Sequence, residues 1–172
     1  MREPGLSLVL RAPAATEALG AALAATLAAN APSGPLLLAL SGELGAGKTT
    51  LTRGLLRALG VTGAIRSPTY TLVEPYETSA GELLHLDLYR LAGPDELAEL
   101  GYRDLAAQAA LVIVEWPERA AGELHADLAL ALELDGPGRR ATCRAGTARG
   151  EGWLARLAAE VAAHLELAQG SA

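Results

Sequence analysis

Residues 36–60 read LLLALSGELGAGKTTLTRGLLRALG, and the order of their three parts decides the architecture. The opening run, Leu36-Leu37-Leu38-Ala39-Leu40, has no alternation of polar and apolar positions, the pattern of a strand covered on both faces of a parallel sheet. In residues 41–47, Gly42, Gly45 and Gly47 let the backbone turn tightly and approach an anion with no Cβ in the way. From Lys48 onward, Leu51, Leu55 and Leu59 recur at helical spacing and Gly60 stands where a helix C-terminal glycine belongs, so a helix is predicted over 48–59. Strand, glycine loop and helix in this order aim free backbone N–H groups and the positive end of a helix dipole at one point, which makes a phosphate site.

The loop matches G-x-x-x-x-G-K-[ST] over residues 42–49. With 19 glycines in the chain such a match can arise by chance, so the flanking strand and helix carry part of the case. Composition adds a second argument: 13 of the 14 basic residues are arginine, and Lys48 is the only lysine. An ammonium is a compact charge on a slim stem that can reach the β and γ phosphates beneath such a loop, where a planar guanidinium is too wide. Thr49 offers a hydroxyl to Mg²⁺. The expected nucleotide-binding set is therefore Glu43, Leu44, Gly45, Ala46, Gly47, Lys48, Thr49 and Thr50, with ATP and Mg²⁺ as cofactors.

Working outward, residues 7–11 read as a short strand and 16–30 as a helix with Leu19, Leu23 and Leu27 along one face, broken by Pro32-Ser33-Gly34-Pro35. Residues 71–76 and 82–88 are two predicted strands joined by the turn-forming Thr78-Ser79-Ala80-Gly81. Gly93-Pro94-Asp95 opens a helical stretch to about residue 109 with a break at Gly101, and 111–114 is a second wholly apolar strand. Residues 126–134 and 139–145 flank Gly136-Pro137-Gly138 as a hairpin, and 151–168 closes the chain as an amphipathic helix. The expected fold is α/β, a P-loop NTPase sheet that is mainly parallel at its centre with antiparallel additions, flanked by helices, in a single domain spanning residues 1–172.

A phosphate loop requires a carboxylate at the end of a neighbouring strand to hold Mg²⁺. Two strands end on one: residues 83–87 on Asp87 and residues 111–115 on Glu115. Spacing does not rank them, although the second strand is more fully apolar and is the better neighbour for the phosphate-loop strand. Ser67-Pro68-Thr69-Tyr70-Thr71 places three hydroxyl residues around a proline, a segment suited either to close over γ-phosphate and Mg²⁺ or simply to enter the next strand. Aromatic residues are scarce, yet Tyr70, Tyr76, Tyr89, Tyr102 and Trp116 all lie between the phosphate-loop helix and the end of the second acidic strand. They read either as an interaction surface or as filling at the sheet margin.

The bulk properties narrow the function classes. A single cysteine, Cys143, and three scattered histidines, His85, His125 and His164, supply neither a disulfide framework nor a metal-binding cluster, and a reducing, cytoplasmic setting is expected. No early apolar run is long enough for an export signal, and none reaches membrane-spanning length. A net charge of −6 argues against gripping RNA or DNA unaided, since that usually takes a basic surface.

Four blocks together resemble the TsaE family: GELGAGKTT at 42–50, SPTYTLVEPY at 67–76, HLDLYRL at 85–91 and VEWPE at 114–118, with a looser fit at 16–20. From residue 120 onward the fit lies mainly in element order, with Gly138-Arg139 as a local echo. The resemblance implies a small P-loop ATPase of tRNA threonylcarbamoyladenosine synthesis. It would act with the TsaB and TsaD proteins, which modify adenosine 37 of tRNA, and would reach tRNA through that complex. It also implies roles: Lys48, Asp87 and Glu115 for catalysis, Thr49 and Glu115 for Mg²⁺, Trp116 beside the active site, and Ser67, Thr69, Tyr70 and Thr71 as a switch or partner-facing segment. Two rival readings of the residues are a small metabolite kinase, with Arg139, Arg140, Arg144 and Arg149 as its lid, and a nucleotide-sensing adaptor without useful turnover.

Overall fold

The computed structural model describes residues 5–27 and 34–169. Its strands are β1 (Leu6–Leu10), β2 (Leu36–Ser41), β3 (Val73–Thr78), β4 (Gly81–Asp87), β5 (Leu111–Glu115), β6 (Leu128–Asp135) and β7 (Gly138–Ala145), and its helices are α1 (Pro13–Ala25), α2 (Lys48–Ala58), α3 (Pro94–Glu99), α4 (Tyr102–Ala107) and α5 (Ala148–Gln169). The strands form one sheet in the order β1-β7-β6-β2-β5-β4-β3. At its centre β6, β2, β5 and β4 run parallel, while β3 pairs antiparallel with β4 at one margin, and β7 and β1 extend the other margin antiparallel. This is the α/β arrangement expected from the sequence, with β5, apolar up to its terminal Glu115, directly beside β2.

Both faces of the centre are covered, which explains the unbroken aliphatic runs. Leu36, Leu38 and Leu40 of β2 and Leu111 and Ile113 of β5 face a core completed by Leu19 and Leu23 of α1, Leu51 and Leu55 of α2, and Trp153 and Leu157 of α5. The alternate residues Leu37, Ala39, Val112 and Val114 face a second core with Leu97 of α3 and Ala106 of α4. At the start of the parallel strands the buried Asp127 accepts from the Leu37 N–H (2.9 Å) and the Thr147 hydroxyl (2.6 Å), joining β2, the entry to β6 and the entry to α5.

Helices α1 and α2 pack backbone against backbone. A Cβ on Gly20 would lie 2.1 Å from the Leu51 carbonyl oxygen, and one on Gly54 would lie 2.1 Å from that of Glu17. No side chain fits at either crossing point, and the approach holds α2, and so the loop before it, against the sheet.

Some element bounds differ from the sequence reading. Helix α1 begins at Pro13, since proline suits the first turn, and ends at Ala25, where the Thr26 hydroxyl turns back to the Ala22 carbonyl (2.8 Å). Residues 28–30 of the predicted helix and Pro32-Ser33 of the predicted break lie outside the described residues. Strand β3 begins at Val73 rather than Thr71, because Leu72 is left-handed (φ 63°) and its N–H bonds to the Pro68 carbonyl (2.8 Å), closing a turn over residues 68–72. The predicted break at Gly101 is present as a left-handed residue (φ 68°) between α3 and α4. Among the described residues, no helix is long and apolar enough to cross a membrane.

Candidate functional site

The C-terminal ends of β2, β5 and β4 deliver the candidate residues to one edge of the sheet, in register. Asp87 lies opposite Glu115, and Leu40, just before the glycine loop, lies opposite Glu115 on the other side. Gly42 must be glycine twice over. Its φ is 143°, and a Cβ there would lie 2.4 Å from the Leu132 carbonyl oxygen. Gly47 (φ 109°) turns the chain into α2 with no side-chain cap, leaving the first N–H groups of that helix for a ligand.

Lys48 is buried, not solvated as a loose anion-site side chain would be. Its Nζ donates to the carbonyls of Gly42 (2.5 Å) and Glu43 (3.0 Å) and lies 4.2 Å from the centre of the Trp116 ring. Burial pulls its ammonium below the ordinary lysine value, while the charges of Glu115, Asp87 and Glu118 act in the opposite direction. The Thr49 hydroxyl donates to Glu115 Oε1 (3.3 Å), so the two candidate metal-holding side chains already face each other. A hydroxyl and a carboxylate are hard oxygen donors of the kind Mg²⁺ prefers, and two protein groups suffice when phosphates and waters complete the shell.

Asp87 organises the segment after α2. Its Oδ2 accepts from the hydroxyls of Ser67, in a short contact, and Thr69 (3.3 Å), and its Oδ1 accepts from the Tyr89 N–H (2.9 Å). The turn closed by Leu72 is tied in as well, since the Asp87 N–H donates to the Leu72 carbonyl (3.0 Å). Leu44, Gly45, Gly47, Lys48, Thr49, Thr50, Ser67, Thr69, Asp87, Tyr89, Glu115 and Trp116 line one cavity of about 320 Å³. A larger hollow of about 490 Å³, between Leu6 of β1 and Leu154 of α5, is chiefly apolar and remote from these groups; chemistry rather than volume locates the site.

Not every residue singled out in the sequence meets there. Glu43 is exposed and contributes its backbone carbonyl, Ala46 packs into the first core, and Thr71 is exposed and outside the cavity lining. Tyr70 is 84% exposed, with the Arg90 guanidinium 4.4 Å from its ring centre. The aromatic cluster divides. Tyr89 packs against Trp116 (4.9 Å between centres) at the cavity, whereas Tyr76 and Tyr102 pack against the two cores, where burial pushes both phenols up. Trp116 itself has a left-handed backbone (φ 58°) immediately after Glu115, which turns the chain out of β5.

Two residues with clear positions here escaped the sequence reading. His85, set aside there as one of three scattered histidines, is fully buried with Nε2 2.8 Å from Glu115 Oε1. The signal was present: residues i and i+2 of a strand share a face, so His85 had to accompany Asp87. Arg139, noted there as part of a local echo of the family and as a candidate for a kinase lid, instead donates from Nε to the Ala46 carbonyl and from Nη2 to that of Gly45, both at 3.0 Å, buttressing the glycine loop from β7. Arg140 pairs with Asp135 on the neighbouring strand, and Arg149 lies at the start of α5 near Asp127. These arginines sit on the sheet and a helix, and do not form a lid.

Comparison with known proteins gives this geometry relatives. The chain is 46% identical over 99 residues to the tRNA threonylcarbamoyladenosine biosynthesis protein TsaE of Haemophilus influenzae, covering 57% of this chain and 63% of that protein. The protein of the same name from Streptomyces coelicolor is 47% identical over 102 residues (58% and 68%), and that of Bacillus subtilis is 40% identical over 95 (55% and 58%). The matched stretch thus spans about three fifths of the Haemophilus and Bacillus relatives' length. The crystal structure of Bacillus subtilis YdiB superposes with a TM-score of 0.70 at 28% identity, over 92% of this chain and 97% of that one. The family model for the threonylcarbamoyl adenosine biosynthesis protein TsaE matches residues 10–142, from the end of β1 into β7 and across every element of the site, and the chain belongs to the TsaE family.

Proposed function

We propose that the protein is a Mg²⁺-dependent ATPase that serves tRNA threonylcarbamoyladenosine synthesis together with the TsaB and TsaD proteins, in the cytoplasm. The observation that carries this reading is the meeting of Lys48, Thr49, Glu115 and Asp87 at one sheet edge, with Ser67 and Thr69 hydrogen-bonded to Asp87. The names of the relatives supply the pathway.

In this reading the glycine loop and the uncapped start of α2 bind the phosphates through backbone N–H groups, and Lys48 leaves its carbonyl partners to follow the β and γ phosphates. Thr49 and Glu115 hold Mg²⁺, which when bound offsets charge on the phosphates and orients them. Asp87 acts on hydrolysis, and it also gathers Ser67 and Thr69, so whatever shifts the 67–72 segment shifts the hydrolytic group's surroundings. Leu44, which lines the cavity, and Tyr70, next in sequence to the lining residue Thr69, are 70% and 84% exposed, a surface for a protein partner to cover. No arginine is among the described residues that line the cavity, and Arg139 is spent on loop carbonyls and Arg90 on Tyr70. Turnover is therefore expected to be slow in isolation and to rise when a partner completes the site.

The test is steady-state ATP hydrolysis by the protein alone, with tRNA alone, and with TsaB and TsaD. The expected result is stimulation by the proteins. Full activity in isolation, or stimulation by tRNA without protein, would overturn the reading.

A further inference from the structure

His85 is an unusual occupant of its place in β4. It lies on the same sheet face as Leu83 and opposite Ile113, both core residues, and is fully buried. Its Nδ1 is buried and has no hydrogen-bond partner among the described residues. A buried polar atom left unpaired costs stability that an aliphatic residue would avoid. What the ring supplies in return is one donor, Nε2, placed 2.8 Å from Glu115 Oε1.

Glu115 receives two side-chain hydrogen bonds, and both land on Oε1: one from His85 and one, longer at 3.3 Å, from Thr49. They differ in origin. Thr49 lies at the start of α2 beside the phosphate loop, and its hydroxyl can offer a lone pair to a cation while its O–H stays turned to the carboxylate, so its bond is tied to what the loop binds. His85 approaches from the core and is not among the residues that line the cavity, so its bond holds the carboxylate independently of the loop. Because an ionised carboxylate only accepts, the proton on this edge of the ring belongs to Nε2.

We propose that His85 is a positioning residue for the metal site: its Nε2–H fixes the Glu115 carboxylate from behind, with Oε2 turned to the metal shell, and so sets the protein's affinity for Mg²⁺ in the nucleotide complex. The inference rests on the reading of Glu115 as the carboxylate that holds Mg²⁺. Outer-shell partners of this kind typically change metal affinity by about 10–100-fold when removed.

The experiment is a Mg²⁺ titration of binding of a fluorescent ADP analogue, with no turnover required, on the wild type, His85→Leu, His85→Gln and Glu115→Gln, with a parallel binding curve in EDTA. His85→Leu is expected to raise the half-saturating Mg²⁺ concentration about tenfold or more while leaving affinity in EDTA within about twofold. His85→Gln, whose amide can donate along the same line, recovers at least part of the loss. Unchanged Mg²⁺ dependence in His85→Leu, or an equal loss of affinity with and without the metal, overturns the proposal; should that variant not fold, His85→Met, which likewise cannot donate, decides it by the same criterion. Glu115→Gln separates the two levels. If it raises the Mg²⁺ requirement and His85→Leu does not, only the role of His85 fails, whereas if it has no effect the metal reading fails and the inference with it. A ¹⁵N spectrum of the metal-free protein gives an independent readout. The His85 ring is expected to carry its proton on Nε2, and a proton on Nδ1 alone would overturn the proposal.

Discussion

The Lys48 ammonium lies among two loop carbonyls and the face of an indole, 2.5 Å, 3.0 Å and 4.2 Å away, in a space that suits a compact charge. A guanidinium there would have to displace the loop or Trp116, so Lys48→Arg is expected to lose turnover almost as fully as Lys48→Ala, by roughly 10²–10³-fold. Both variants should keep a cooperative melt, because the core beneath is aliphatic. An arginine variant retaining more than a tenth of the activity would show that charge alone suffices. The two acids are separable in the same way. Glu115→Ala is expected to raise the Mg²⁺ needed for nucleotide binding, whereas Asp87→Ala, which releases Ser67, Thr69 and the Tyr89 N–H, should slow turnover with affinity less affected. Exchanged phenotypes in binding and single-turnover assays would mean exchanged roles. Lys48, Thr49, Asp87 and Glu115 were legible in the sequence because each sits where a loop or strand ends, a place that pattern alone locates. His85 and Arg139 were not, because their meaning lies in contacts across 30 and 93 residues of chain; strand alternation sets His85 on the face of Asp87 but does not bring it to Glu115.

Among the elements, the pairing of α1 with α2 is the most demanding. With the Gly20 and Gly54 positions each 2.1 Å from a facing carbonyl oxygen once a Cβ is added, the two backbones cannot both stay where they are if either residue gains a methyl. Gly54→Ala is expected to destabilise by about 2–3 kcal/mol, despite the better helix propensity of alanine, through the strain of overpacking. Urea unfolding measures this, and an unchanged or raised midpoint would mean that the helices slide apart at little cost. Since α2 carries Lys48 and Thr49, the same variant should weaken nucleotide binding without touching the cavity. A glycine inside a leucine pattern carries no local sign of the backbone it meets, so the packing role of Gly20 and Gly54 was not legible in the sequence. The strands β2 and β5 and the two hairpins were readable because burial on two faces and turn composition leave local marks. The start of β3 was not, since the left-handed Leu72 is imposed by its bond to Pro68 and by the tie to Asp87, and residues 71–76 carry a strand-like pattern regardless.

At the scale of the whole molecule, Cys143 provides a gauge of cooperativity and of ligand linkage. It is the only cysteine, lies in β7 between β1 and β6, opposite Leu6 and Leu130, and is fully buried. Burial pushes its thiol up to about 12, so the native protein presents neither access nor thiolate to a reagent. Labelling must wait for an opening that removes β1 or β7 from the sheet. Because β7 also buttresses the glycine loop through Arg139, that opening is expected to be global. The rate with a thiol reagent should then follow the unfolding equilibrium measured in urea, and Mg²⁺–nucleotide at about a hundred times its dissociation constant should slow it about a hundredfold, the equivalent of about 2.7 kcal/mol. Lys48→Ala should lose most of that protection. Alkali acts in the opposite sense to nucleotide. The folded thiol holds its proton more tightly than the unfolded one, so its contribution to stability is complete below about pH 9 and is lost as pH rises towards 12, and the urea midpoint of the wild type should fall over that range more than that of Cys143→Ala. Labelling of the native protein at the rate of a free thiol, indifferent to nucleotide, would show instead that the β1–β7 margin opens by itself and that the loop's buttress is independent of the sheet's far edge.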